Sequence, residues 1–133
     1  MEDFIAPNDP LDRAHVRELS KLSDAEGLWH LMWHLTILAG TGTLVWLSLG
    51  TWWLILPAIT VHGIVFAFLF TGHHEMIHRT AFKSRRLNDW ISFIIGFLVF
   101  YPAYYFRLFH YAHHRYTQDP ERDPELAFPP PKS

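Results

Sequence analysis

Cysteine is absent from the 133 residues. That excludes a disulfide scaffold, a thiolate nucleophile, and any zinc or iron–sulfur site with cysteine ligands. A metal in this chain has to be held by histidine and carboxylate. Charge is missing over a long stretch as well: no Asp, Glu, Lys or Arg lies between Glu26 and Glu75. A soluble helical domain keeps charged residues on its outer face at every second turn or so, and this stretch has no charge at all. One bilayer crossing takes roughly 20 apolar residues, so the gap holds about two. There is no basic excess either. The net charge is −2, which gives no electrostatic footprint for nucleic acid.

What is present is apolar surface, aromatic rings and histidine. Half the residues are hydrophobic. The start is polar: Glu2, Asp3, Asp9 and Asp12 precede any apolar run, whereas a cleavable signal opens with positive charge. Residues 1–26 therefore read as a solvated, partly helical arm. A first span is expected at about 28–49 and a second at about 52–71, joined by a turn at Gly50 and Thr51. Trp29 and Trp33 mark one end of the first span, and Trp46, Trp52 and Trp53 cluster at the turn, where indole favours the headgroup level. Trp29 to Trp46 covers about 25 Å at a helical rise, close to the ~30 Å of hydrocarbon. Arg13, Arg17 and Lys21 precede the hairpin, and Arg79, Lys83, Arg85 and Arg86 follow it. The positive-inside bias places both ends in the cytoplasm.

A third apolar run, residues 90–106, contains Gly96 and Pro102 and is followed by Arg107 and Arg115. It is long enough to cross, but these features equally fit an in-plane or re-entrant segment. Residues 117–133 are polar and rich in proline, and read as a tail without a core.

Ten histidines are many for this length, and they are clustered. His74-Glu75-Met76-Ile77-His78 follows the second span, with His73 just before it. His110-Tyr111-Ala112-His113-His114 follows the third apolar run. Histidines four apart on a helix point the same way, so His74 and His78 can grip one metal. His110 meets both His113 and His114. Imidazole suits iron, zinc, copper and nickel alike. A lone pair of this kind is often surface histidine; two clusters, each directly after an apolar segment, point to a functional site. H-E-x-x-H is also the zinc-protease signature, with Glu75 as general base, and an intramembrane zinc protease is one alternative. The E-x-x-H of carboxylate di-iron bundles needs a second copy, which is absent from the sequence.

The H-x-x-x-H box, the basic loop RTAFKSRRLND and the H-x-x-H-H box with its trailing RYTQDPERDPEL together resemble the membrane fatty acid desaturases and their hydroxylase relatives, over about residues 28–126. The resemblance implies an all-α integral membrane fold, in which a transmembrane hairpin is joined to cytoplasmic in-plane helices carrying two histidine boxes within residues 27–116. It implies a non-haem di-iron centre (Fe2+/Fe3+) ligated by His74, His78, His110, His113 and His114, with His73 as the alternative to His74. It also implies O2, an external electron donor such as ferredoxin or cytochrome b5, and a lipid or acyl substrate that is desaturated or hydroxylated. Since both boxes must meet at one centre, residues 90–106 should not cross the membrane. The family carries a third H-x-x-H-H box, and none occurs here, so the expectation is a truncated or partial form. A catalytically inactive membrane remnant or partner is the remaining alternative. His30 and His34, at one end of the first span, read as interfacial. His62 reads as an interhelix hydrogen-bonding group and His15 as exposed. Asp119 is the expected carboxylate partner for a box histidine, ahead of Glu121 and Asp123.

Overall fold

The computed structural model describes residues 13–126, so the arm before Arg13 and the proline-rich tail after Leu126 lie outside the described residues. Among these, five helices occur and no strand: α1 Arg13–Leu19, α2 Asp24–Leu47, α3 Trp52–His78, α4 Arg85–Leu98 and α5 Ala103–Tyr116.

α2 begins where Ser23 accepts the Glu26 N–H, with Asp24 and Glu26 adding negative charge to the first turn, as a helix N-terminus favours. A tight turn with Gly50 at φ 86 reverses the chain into α3, and the two helices pack side by side. Thr41 and His62 meet across them, Oγ1 to Nδ1 at 2.9 Å, which is the interhelix bond expected of His62. α3 is the one described helix long and apolar enough to cross a membrane by itself, and only 6% of its most apolar stretch is buried inside the protein. Its apolar surface therefore faces outward on nearly every side. α2 is as long as a span, but His30, His34 and several Thr and Gly make it less apolar.

α3 runs on past the apolar span expected to end at about 71 and carries the first histidine box on its last turns. It stops at Arg79, which adopts a left-handed conformation (φ 62) and donates its N–H to the Glu75 and Met76 carbonyls. The loop that follows is tightly held. Asn88 is fully buried and donates to the Phe82 and Ser84 carbonyls, while its own carbonyl accepts from Phe82 N–H. Ser84 N–H donates to Asp24, tying the start of α4 to the start of α2. Gly27 allows this approach, because a Cβ there would stand 2.4 Å from the Ala81 carbonyl oxygen.

The third apolar run is broken. α4 and α5 meet at a bend of 101°. Phe100 turns the corner at φ 56, Tyr101 N–H donates to the Gly96 carbonyl, and Pro102 leads into α5. Pro102 fits at a helix start because no N–H is needed there. The apolar corner points outward, with Trp90, Phe93, Phe97, Phe100 and Tyr104 all exposed. The core is small and sits where α3, α4 and α5 meet, built from Leu69, Met76, Ile77, Phe82, Ile95 and Phe106.

Candidate metal centre

His74 and His78 are one turn apart at the end of α3, and His110 and His114 one turn apart at the end of α5. The bend between α4 and α5 brings the second pair back over the first. One ring nitrogen from each of the four lies within 4.8 Å of the other three. His110 Nε2 stands 2.9 Å from both His78 Nε2 and His114 Nε2, and His114 Nε2 stands 3.3 Å from His78 Nε2. Each Nε2 can only donate or accept, so among three mutually close nitrogens at least one pair is of like kind and is not joined by a hydrogen bond. A cation at the centre resolves the conflict. Adjacent ligands of a metal with ~2.1 Å bonds to imidazole stand about 3 Å apart, so the donor set and its spacing fit a transition metal.

The surroundings hold these rings in place. Phe106 lies beside both His73 and His110, with ring centroids at 5.2 Å in each case. Tyr111 packs against the His78 ring, and its hydroxyl donates to the Ile77 carbonyl. Burial pushes the His110 imidazole below its ordinary pKa, with the hydrogen bond it donates to Glu125 pulling the other way. The ring therefore favours the neutral form that binds metal.

His113 is not among the four converging nitrogens. Its Nδ1 lies 2.8 Å from Asp123 Oδ1, and its Nε2 lies 3.5 Å from Glu125 Oε2. Glu125 also reaches His110 Nδ1 at 3.4 Å. Asp123 is buried and accepts from the N–H groups of Gln118 and Glu125. The hydrogen bond to Asp123 raises the His113 pKa. For Asp123, burial favours the neutral acid, but His113 and the two N–H groups together prevail and hold the carboxyl below its usual range. Asp119, the carboxylate favoured from sequence, instead accepts from Glu121 and Arg122 within its own loop. The carboxylate partners of the second-box histidines are Asp123 and Glu125.

His73 is fully buried and turned from the cluster, with Nδ1 3.1 Å from Ser92 Oγ. Glu75 accepts from Thr80 Oγ1 at 2.7 Å and lies 3.3 Å from His74 Nδ1. On its other side Glu75 lines a cavity of about 630 Å³ between α2 and α3, together with His30, His34, Phe68, Met76 and Phe82. His34 Nε2 is buried there without a partner. His15 is exposed.

A family model described as fatty acid desaturase matches residues 50–133. The chain is 31% identical over 93 residues to an sn-1 oleoyl-lipid 12-desaturase of Picosynechococcus sp., covering 67% of this chain and 26% of that protein. It is 32% identical over 72 residues to an sn-1 oleoyl-lipid 12-desaturase of Arthrospira platensis, covering 53% of this chain and 20% of that protein. It is 36% identical over 84 residues to a dihydrorhizobitoxine desaturase of Bradyrhizobium elkanii, covering 59% of this chain and 23% of that protein. The matched region thus spans about a quarter of these relatives. No solved structure matches the chain.

Proposed function

Because this chain belongs to the fatty acid desaturase family, we propose that it forms the part of a membrane-bound, non-haem di-iron oxidoreductase that carries the first two histidine boxes. The substrate class is a lipid acyl chain, oxidised with O2 to an alkene or an alcohol. The observation that carries this reading is the convergence of Nε2 atoms from two boxes, 2.9–3.3 Å apart, at the ends of the long apolar α3 and the shorter α5. His74, His78, His110 and His114 would hold iron. His113, from the same turn, would join the set as a ligand to the second ion, its Nδ1 fixed by Asp123. Further ligands would come from the three quarters of a family member that the matched region does not span. Iron held there supplies oxygen activation and removal of hydrogen from an unactivated C–H bond.

The chain's own residues prepare that chemistry. Glu125 takes the outward Nδ1 of His110 and leaves its Nε2 as a donor, the usual arrangement behind a metal-bound imidazole. Asp123 holds His113 Nδ1, and the His113 Nε2 would have to exchange its 3.5 Å contact with Glu125 for the metal. Phe106 and Tyr111 exclude water from one side of the rings. The apolar cavity between α2 and α3 would receive an acyl chain close to the first box, with Glu75 joining its wall to His74. In this reading the hairpin crosses the membrane and both ends lie in the cytoplasm. The bent α4–α5 pair stays at that face with its aromatic corner in the lipid. Exposed Lys83, Arg85 and Arg86 offer a basic surface to an acidic electron carrier such as ferredoxin or cytochrome b5.

Metal analysis of the detergent-purified chain, expressed with ample iron, tests the proposal. Iron bound in the wild type and lost in His110→Ala supports it. One zinc, indifferent to His110→Ala, supports the zinc-protease reading, which has no use for His110 or His114. No stoichiometric metal supports an inactive remnant.

A further inference from the structure

Asp89, on α4, is the one acidic residue between Glu75 and Asp119, a stretch that also carries Arg79, Lys83, Arg85, Arg86, Arg107 and Arg115. Two of those cations converge on it. Arg107 Nη2 donates to Asp89 Oδ1 at 2.6 Å, and Arg79 Nη2 donates to Oδ2 at 3.2 Å. Arg79 directly follows His78, at the left-handed residue that ends α3. Arg107 lies three residues before His110 on α5, on the same helical face. One carboxylate therefore ties the residue next to the first histidine pair to the turn that precedes the second.

This link spans a contact with few other polar ties. Among the described residues, the Tyr111 hydroxyl donating to the Ile77 carbonyl is the one direct hydrogen bond between α5 and α3 outside the histidines themselves. Arg107 is also electrostatically exacting. Its side chain is only 24% exposed, and its Nε is buried without a partner. Asp89 is the carboxylate that balances it. Without Asp89, a half-buried guanidinium would stand one turn from His110 and repel any cation placed among the four imidazoles.

Resting on the metal-site reading above, we propose that Asp89 is a positioning residue: by bridging Arg79 and Arg107 it holds the two histidine pairs at metal-binding separation and cancels the charge that would oppose the metal. It touches no ligand, and it acts through the ends of the two helices that carry them.

The test uses the full chain in detergent with Co2+ alone as probe, read by its ligand-field absorption and by competition with a chelator. Wild type, Asp89→Asn and Arg79→Asn are compared; Asn tolerates the left-handed backbone at position 79. Asp89→Asn should weaken Co2+ binding by about tenfold or more, the scale seen when partners behind a metal site are removed. Its spectrum at saturating Co2+ should differ from wild type, because a displaced box supplies fewer nitrogens. Arg79→Asn, which leaves the shorter Arg107 contact in place, should show a smaller change in the same direction. A variant that is merely less stable would give the wild-type spectrum once saturated. Wild-type affinity and spectrum in both variants overturn the proposal and leave the metal site standing. No Co2+ binding by the wild type overturns the metal site itself. If Asp89→Asn does not fold, Arg79→Asn decides the matter alone.

Discussion

His78 and His110 are 32 positions apart in the chain, yet their Nε2 atoms face each other at 2.9 Å. Two like acceptors at that distance need either a shared proton or a shared cation. A metal that binds only the folded chain stabilises it by mass action, by about 2.7 kcal/mol at a hundredfold excess over Kd. Thermal unfolding in detergent, with Co2+ and with chelator, should show a higher midpoint with metal for the wild type. His78→Ala and His110→Ala should each abolish that difference, and His15→Ala should keep it.

His73 and His74 are neighbours with opposite fates. His73 is fully buried against Phe106 and Ser92, while His74 joins the cluster. His73→Ala should cost about 2–4 kcal/mol of stability, from the cavity and the unpaired Ser92 hydroxyl, and should leave metal stoichiometry intact once the protein is folded. His74→Ala should do the reverse. Chemical unfolding paired with metal analysis checks both.

Asp89 titrates against two arginines. Burial opposes its ionisation, but Arg107 and Arg79 outweigh that and hold its pKa below the ordinary carboxyl value. A folded-state pKa below the unfolded one means that this stabilisation is complete above the unfolded value of about 3.9 and is lost as pH falls through the lower folded value. Acid unfolding of Asp89→Asn should lack that component. Superimposable acid limbs for the variant and the wild type, after scaling for overall stability, would contradict it.

Two glycines should behave oppositely. A Cβ on Gly96 would stand 2.7 Å from the Tyr101 carbonyl oxygen and 2.9 Å from His73 Cε1, whereas a Cβ on Gly40 meets nothing within 4 Å. Gly96→Ala should destabilise by about 1–3 kcal/mol through overpacking at the corner. Gly40→Ala should stabilise α2 by about 0.5–1 kcal/mol. Unfolding midpoints of the two variants should move in opposite directions.

Much of this was legible in the residues. The uncharged stretch from Gly27 to His74 announced the paired long helices, and Gly96 and Pro102 announced the break between α4 and α5. The polar run Gly72, His73, His74 and Glu75 marks the end of the apolar span but not of the helix, and α3 stays helical through it to His78, as the i, i+4 reading of the first box required. The residues left both His73 and His74 open as first-box ligands; it is the His74 ring that lies in the four-histidine cluster. Proximity in sequence misdirected the choice of carboxylate. Asp119 is nearest the second box, but Gln118 at φ 66 folds the chain back on α5, so that Asp123 and Glu125 reach the rings instead. A reversal of this kind has no signature in residue type, because Gln rarely adopts that backbone conformation.

The right-angled corner at Phe100 also fixes an elevation. α5 leaves the corner at Pro102, and His110 stands roughly 12 Å further along the helix axis at 1.5 Å per residue. The corner is pinned by the Gly96–Tyr101 hydrogen bond and presents Phe97, Phe100 and Tyr104 outward. Tyr104 at this aromatic tip and the second-box imidazoles therefore belong to one continuous helix, at a fixed separation along its axis. In the proposed membrane placement, the surface the tip settles into would set how far the second-box imidazoles stand from it, so a lipid of different chain length or headgroup would raise or lower them.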